Sequence, residues 1–156
     1  MGVHTMKTLL LPLHLIFAGI WLGCVLTEAL FERALLGQGR DKELLLSALH
    51  KRVDLMVEIP AFLLVMLTGG LILASAPPSS MLHAKLGFAA LAILTNLYCV
   101  YLVLKRDRMA RAGDWQAFET IDHLQHKMGA VVLIGILGAL LLGLWLFAGT
   151  SGSART

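Results

Sequence analysis

The chain has 156 residues, of which 58% are hydrophobic and 15% are charged, with a formal net charge of +3 at pH 7. An ordinary soluble domain is about half apolar, so this composition favours a membrane protein, and the arrangement of the apolar residues decides the matter. The two cysteines, Cys24 and Cys99, both lie within apolar segments and give no disulfide framework.

Four apolar segments follow one another along the chain, at residues 8–30, 53–76, 82–104 and 128–148. Each is about as long as the roughly 20 residues that cross a bilayer as a helix. The sequence therefore predicts an all-α integral membrane protein: one domain, 1–156, folded as an antiparallel up-down-up-down four-helix bundle. The first segment is too long for a cleavable signal and lacks a small-residue cleavage site, so we expect it to be retained.

Helices 2 and 4 are expected to begin before their apolar segments and so to extend into the cytoplasm. Within helix 2, Pro60 should kink the helix or loosen a turn next to Glu58, because proline removes a backbone donor and crowds the preceding turn. The glycines of the fourth segment fit tight helix packing.

Basic residues are distributed unequally between the two sides of this bundle. Ten lie on the side of the 1–2 and 3–4 connections: Arg33, Arg40, Lys42, Lys51, Arg52, Lys105, Arg106, Arg108, Arg111 and Lys127. Three lie on the other side: Lys7, Lys85 and Arg155. The positive-inside rule then predicts a multi-pass inner (cytoplasmic) membrane protein with both termini outside and these two connections in the cytoplasm. This asymmetry accounts for the net charge, so the lipid bilayer is the expected partner and no nucleic acid is needed. Small-residue faces on the first and fourth segments permit a homodimer.

At one end of three of the four segments lie two metal-ligand-type side chains four residues apart, which stack one turn apart on one face of a helix. The pairs are Glu28 and Glu32, His50 and Asp54, and Asp122 and His126. The alternating helix directions sort them by depth into two sets. The surface triplet is Glu32, His50 and Asp122, and the deep triplet is Glu28, Asp54 and His126.

Each triplet offers one Glu, one Asp and one His, a pattern that predicts two metal ions. Carboxylate and imidazole ligands suit Fe, Mn or Zn, so the sequence predicts a dinuclear site at the cytoplasmic end, with oxidoreductase activity as one outcome. Glu58, one turn beyond Asp54, is a candidate bridging or proton-carrying residue. Glu119 and His123 are candidate additional ligands or hydrogen-bond partners of the ligands.

Other interpretations of these residues stay open. The acidic side chains near the helix ends could pair with Lys51, Arg52 or Lys127, and the deeper ones could form a metal-free polar or proton-relay network between helices. A third interpretation is a metal or proton conduit, in which Glu58 and Asn96 extend the polar path into the membrane.

At the opposite end of the bundle, His14 shares a helix face with Trp21, Glu28 and Glu32 and should point inward. His83 and Lys85 begin the third segment. They are two residues apart and therefore about 200° apart on a helix, so only one of them faces the interior. We expect that residue to be Lys85.

Several short motifs resemble those of the HemJ-type protoporphyrinogen oxidases and related small haem-associated membrane proteins. They are Leu13-His14-Leu15 with Trp21, then Pro60-Ala61 followed by Thr68-Gly69-Gly70-Leu71, and Leu82-His83-Ala84-Lys85-Leu86. The resemblance implies binding of haem b or a porphyrin and an oxidoreductase role, with His14 and Lys85 as the functional pair and His83 as a further candidate haem ligand.

The chain departs from that family at the end of the first segment, where Thr27-Glu28-Ala29-Leu30-Phe31-Glu32 replaces a Leu-Pro-Arg type sequence. The pairs in segments 2 and 4 are likewise foreign to the family pattern. The leading hypothesis is therefore a metal site at the cytoplasmic end, and haem binding is the alternative.

Overall fold

The computed structural model describes the backbone of residues 3–153 and the side chains of residues 9–147. It contains four long helices: α1 (Val3–Leu35), α2 (Arg40–Leu73), α3 (Ser80–Ala112) and α4 (Trp115–Ser153). Each is long and apolar enough to cross a membrane, and the described residues form no β-strand. The predicted all-α four-helix membrane fold is confirmed.

The helices run further than the apolar segments from which they were predicted. α2 begins at Arg40, and α3 continues through the charged residues 105–112 before Gly113 ends it. Gly113 adopts a left-handed conformation with φ 74°, which a residue without a Cβ accepts at little cost and which commonly ends a helix. Because α4 starts at Trp115, only two residues separate α3 from α4.

Adjacent helices pack as expected for an up-down-up-down bundle. The most extensive contacts join α3 to α4 and α1 to α2, and the two hairpins meet through α2 with α3 and through α1 with α4. Trp21, Phe62, Ala92 and Val132, one from each helix, form the centre of the buried core. Large apolar side chains such as Leu94 and Leu141 are exposed on the outside, as a lipid-facing surface requires.

Glycines allow α3 and α4 to approach closely in the half of the bundle that contains residues 85–92 and 135–143, here called the glycine half. A Cβ placed on Gly135 would lie 2.9 Å from the backbone nitrogen of Ala92, and one placed on Gly138 would lie 2.5 Å from the Phe88 ring. Small residues at helix contacts permit this separation, so these two glycines set the distance between α3 and α4.

One turn of α2, Asp54–Glu58, is π-helical, and the Ile59 N–H bonds to the Asp54 carbonyl. Pro60 follows this turn, and because its ring crowds the preceding turn and lacks an N–H, a widened turn here relieves the strain. In a regular α-helix, side chains four residues apart differ in direction by about 40° around the helix axis. The wider turn counteracts that rotation, so His50, Asp54 and Glu58 all face the interior and are buried.

Candidate functional site

The surface triplet surrounds a buried arginine. Arg106 of α3 has no exposed surface. Its Nη1 donates to Oδ1 of Asp122 and lies 3.7 Å from Oε1 of Glu32, while its Nη2 donates to Nδ1 of His50 at 2.7 Å. The three predicted ligands do come together, and the guanidinium of Arg106 occupies the position between them.

The hydrogen bonds of His50 define its tautomer. Arginine has only donors, so Nδ1 of His50 accepts from Arg106, and it also accepts from Gln125 Nε2 at 3.3 Å. The proton is then on Nε2, which donates to the Glu28 backbone carbonyl at 3.3 Å. Both nitrogens of this buried ring are engaged, so His50 is neutral and has no nitrogen left for a metal.

Aromatic rings from the start of α4 cover Arg106 and the surface triplet, which together are called the arginine cluster here. Phe118 is fully buried, and its ring centroid lies 5.8 Å from the Arg106 guanidinium. Trp115 packs edge-on against Phe118 at 5.6 Å, and Arg40 lies over the Trp115 ring at 5.0 Å. Contact between a cation and an aromatic face is favourable, so the start of α4 serves as a lid over Arg106.

His126 binds the remaining oxygen of Glu32. Its Nδ1 lies 2.6 Å from Glu32 Oε2, which joins α4 to α1, and its side chain is 65% exposed. Through this contact His126 pairs with Glu32 of the surface triplet, while its side chain also borders the cavity that Glu28 and Asp54 line. The Nε2 of His126 is at the surface of the bundle.

Deeper in the bundle, Glu28, Asp54 and Glu58 each offer a carboxylate oxygen within 4.8 Å of the other two. Asp54 and Glu58 are each only 3% exposed. Among the described residues, Oε1 of Glu28 and Oε2 of Glu58 have no hydrogen-bond partner. This carboxylate cluster differs from the expected deep triplet because the π-helical turn keeps Glu58 inward, whereas His126 turns to Glu32.

The carboxylate cluster lines a cavity of about 180 Å³ between α1 and α4. Two further buried polar side chains line it, Asn96 (1% exposed) and Gln125 (6% exposed). Within the described part of the chain, Asn96 Nδ2 and Gln125 Oε1 have no hydrogen-bond partner. The cavity therefore presents unused donors and acceptors beside the carboxylates, an arrangement typical of a ligand site.

Glu119 and His123, the additional candidate ligands, are exposed on α4, and neither lines this cavity. Arg106, Asn96 and Gln125, which lie at the centre of the surface triplet or line the cavity, were not predicted as ligands from the sequence. A signal for Arg106 exists: Asn96, Cys99, Val103, Arg106 and Ala110 follow one another at steps of three and four residues. That spacing places Arg106 on the buried face of α3.

At the other end of the bundle, His14 contacts Thr68 of α2. The Thr68 hydroxyl donates to the Leu64 carbonyl at 2.6 Å, so its oxygen accepts from His14 Nδ1 at 3.0 Å. The lone pair of the His14 ring is then on Nε2. Gly69 makes room for this ring, since a Cβ there would lie 3.0 Å from His14 Cε1.

Lys85 and His83 face different sides of α3. Lys85 is half-buried, and its side chain lies against Gly143 of α4. His83 is exposed, and its Nδ1 lies 2.8 Å from the Ser79 carbonyl of its own chain segment. Of the two, only Lys85 shares the interior with His14.

Comparison with protein-family models, with curated proteins and with solved structures gave no match to this chain.

Proposed function

We propose that this protein binds one divalent metal ion inside the membrane, held by the carboxylates of Glu28, Asp54 and Glu58. The observation that carries the proposal is the approach of three carboxylate oxygens to within 4.8 Å of one another, beside a cavity and within apolar helices. Ionisable groups in membrane spans are costly and are usually retained for function.

The charges around the carboxylate cluster support a bound cation. Arg106 is the buried cation nearest to it, but its guanidinium already contacts Asp122, Glu32 and His50. Three further carboxylates lie beyond that contact. Buried carboxyl groups stay ionised when they are paired or coordinate a metal and otherwise take up protons, so a divalent ion is the partner that would keep this carboxylate cluster ionised.

One ion is proposed rather than two, because Arg106 occupies the centre of the surface triplet. The ligand oxygens of the carboxylate cluster suit Mn²⁺, and also Fe²⁺, better than Zn²⁺, which favours imidazole and thiolate ligands. Gln125 and Asn96, which line the same cavity, are positioned to bond a water or substrate on the ion. A redox-active ion there would supply oxidoreductase chemistry.

The test is elemental analysis of the purified protein, followed by titration of the metal-depleted protein with Mn²⁺ and detection of free Mn²⁺ by electron paramagnetic resonance. We expect about one bound ion per chain, and loss of binding in a D54N/E58Q double variant. Glu119→Gln is the matched control, because it removes an exposed carboxylate at the same end of the bundle. Full metal content in the double variant would contradict the proposal.

His126→Ala separates this proposal from the six-ligand site expected from the sequence. Because His126 contacts Glu32 and is not one of the three clustered carboxylates, we expect the variant to keep its ion. Loss of half or more of the bound metal would instead favour the two-ion site.

A second candidate function is binding of haem b or a porphyrin at His14 and Lys85. It is favoured by the hydrogen bond from His14 Nδ1 to Thr68, which leaves Nε2 with the lone pair that an iron ligand requires. An optical spectrum of the purified protein tests it: a Soret band that His14→Ala removes is the expected result. If the protein is incubated with haem, separated from unbound haem and then shows no Soret band, this candidate is excluded.

A further inference from the structure

The cavity beside the carboxylate cluster opens towards lipid. Its deep wall contains Asp54, Glu58 and Asn96, all at most 3% exposed. Exposed residues line its mouth. The mouth is defined here as Leu26 and Ala29 of α1 with His126 and Ala130 of α4. Apart from His126 these residues are apolar, and in a helix that spans the membrane their exposed side chains face the acyl chains.

The packing of the bundle explains why the opening is at this place. Glycines bring α3 and α4 together in the glycine half, whereas α1 contacts α4 much less extensively. Small residues, Ala29, Gly129 and Ala130, line the gap, so little side-chain volume closes it. A flat molecule dissolved in the bilayer therefore has a direct path from the lipid to the carboxylate cluster.

The size and polarity of the cavity restrict what it can hold. A cavity of about 150 Å³ holds a benzene ring, so about 180 Å³ accommodates a single substituted ring. Three carboxylates around one divalent ion keep a net charge of −1, which disfavours phospholipid phosphates and fatty-acid carboxylates. Asn96 Nδ2 offers a buried donor without a partner among the described residues, and His126 Nε2 lies at the mouth. A neutral ring that carries oxygen at opposite edges matches both groups.

We propose that this cavity binds the headgroup of a lipid-soluble quinone, which enters from the bilayer between α1 and α4. One ring oxygen accepts a hydrogen bond from Asn96 Nδ2. His126 Nδ1 donates to Glu32, so Nε2 of the neutral ring is an acceptor, and it bonds the opposite ring oxygen when that oxygen is a hydroxyl, as in the reduced quinol. The isoprenoid tail leaves through the mouth into the acyl chains. The inference rests on the proposed function, since a bound divalent ion reduces the negative charge against which the neutral ring packs.

The experiment uses the full chain in lipid nanodiscs and decylubiquinone as the probe. Quinones quench tryptophan fluorescence, and Trp21 is well placed to report, because its Nε1 donates to Asn96 Oδ1 at 3.3 Å. We expect saturable quenching beyond that of empty discs. Ala29→Leu and Ala130→Leu, which fill the mouth from either side, should each weaken binding at least tenfold.

Ala90→Leu is the matched control, because Ala90 is exposed on α3 and does not line the cavity. Unchanged affinity in both mouth variants would overturn the quinone inference. So would a wild-type protein that holds one metal ion but shows no saturable decylubiquinone binding. Metal content is measured on the same samples, and a wild-type protein without bound metal would contradict the proposed function instead.

Discussion

The two halves of the bundle are held together by different forces. In the glycine half, α3 and α4 meet through Gly135 and Gly138, and the hydrogen bond of His14 to Thr68 joins α1 to α2. In the other half, here called the polar half, Arg106 of α3 donates hydrogen bonds to Asp122 of α4 and His50 of α2 and forms an ion pair with Glu32 of α1. Close backbone packing stabilises the first, and electrostatic pairing stabilises the second.

This difference shows how a small bundle combines a rigid part with a binding part. Close contact of α3 with α4 fixes one side, so the gap that remains falls between α1 and α4, where the carboxylate cluster lies. At one end of that gap, Glu32 of the arginine cluster bonds His126 and so joins α1 to α4. Charge pairing therefore holds α1 and α4 together beside the gap, where close packing between them is lacking, and the cavity stays open.

The largest expected effect comes from removing the centre of the polar half. Arg106→Met leaves Asp122 and Glu32 buried without their cation, and breaking a buried pair costs about 3–5 kcal/mol. Equilibrium unfolding in mixed detergent and SDS micelles should show a loss of stability of this size. Lys105→Met is the control, because Lys105 is the exposed neighbouring cation on α3.

A compensating variant sharpens this prediction. Arg106→Met combined with Asp122→Asn removes one of the stranded charges, so the double variant should recover part of the lost stability. Equal stability of Arg106→Met and the wild-type protein would show that the polar half does not depend on the arginine cluster.

The fold could be predicted from the sequence because four apolar segments with short connections have few alternative arrangements in a bilayer. The spacing of four residues also placed Glu32, His50 and Asp122 close to one another. Their partner was missed because Arg106 lies in the charged run 105–111. In such a run composition indicates an exposed connection, and only the spacing from Asn96 indicates burial.

The membership of the carboxylate cluster could not be obtained from spacing alone. A regular α-helix turns Glu58 away from His50, and the π-helical turn that corrects this depends on how Pro60 and the neighbouring helices are accommodated. Whether the His126 ring contacts Glu32 or Asp54 likewise depends on the separation of α1 and α4. Pattern analysis gives the helix face, and tertiary packing selects the partner.

An intermediate effect is expected from adding one methyl group in the glycine half. In Gly135→Ala the new Cβ would lie 2.8 Å from the Ala92 Cβ and 2.9 Å from its backbone nitrogen. Since backbone cannot rotate away, α3 and α4 must separate, and overpacking of this kind costs about 1–3 kcal/mol. The same unfolding measurement applies.

Two other glycines provide the comparison for this variant. In Gly138→Ala the new Cβ would meet the Phe88 ring, a partly exposed side chain that can rotate, so we expect a smaller loss than for Gly135→Ala. Gly87→Ala meets nothing within 4 Å and should leave stability unchanged or slightly higher, because alanine favours helix. The reverse order would show that the separation of α3 from α4 is not set at Gly135.

The smallest expected effect is at the polar contact of the glycine half. Thr68→Val keeps the shape of the side chain but removes the oxygen that accepts from His14 Nδ1. A single hydrogen bond contributes about 1 kcal/mol net, and His14 is only half-buried, so water or a lipid headgroup can replace part of it. Thr27→Val serves as the control, because the exposed Thr27 hydroxyl bonds within its own helix, to the Gly23 carbonyl at 2.7 Å. If Thr68→Val costs as much as Arg106→Met, then a buried polar contact also holds the glycine half together, and the two halves do not differ in the way that their packing indicates.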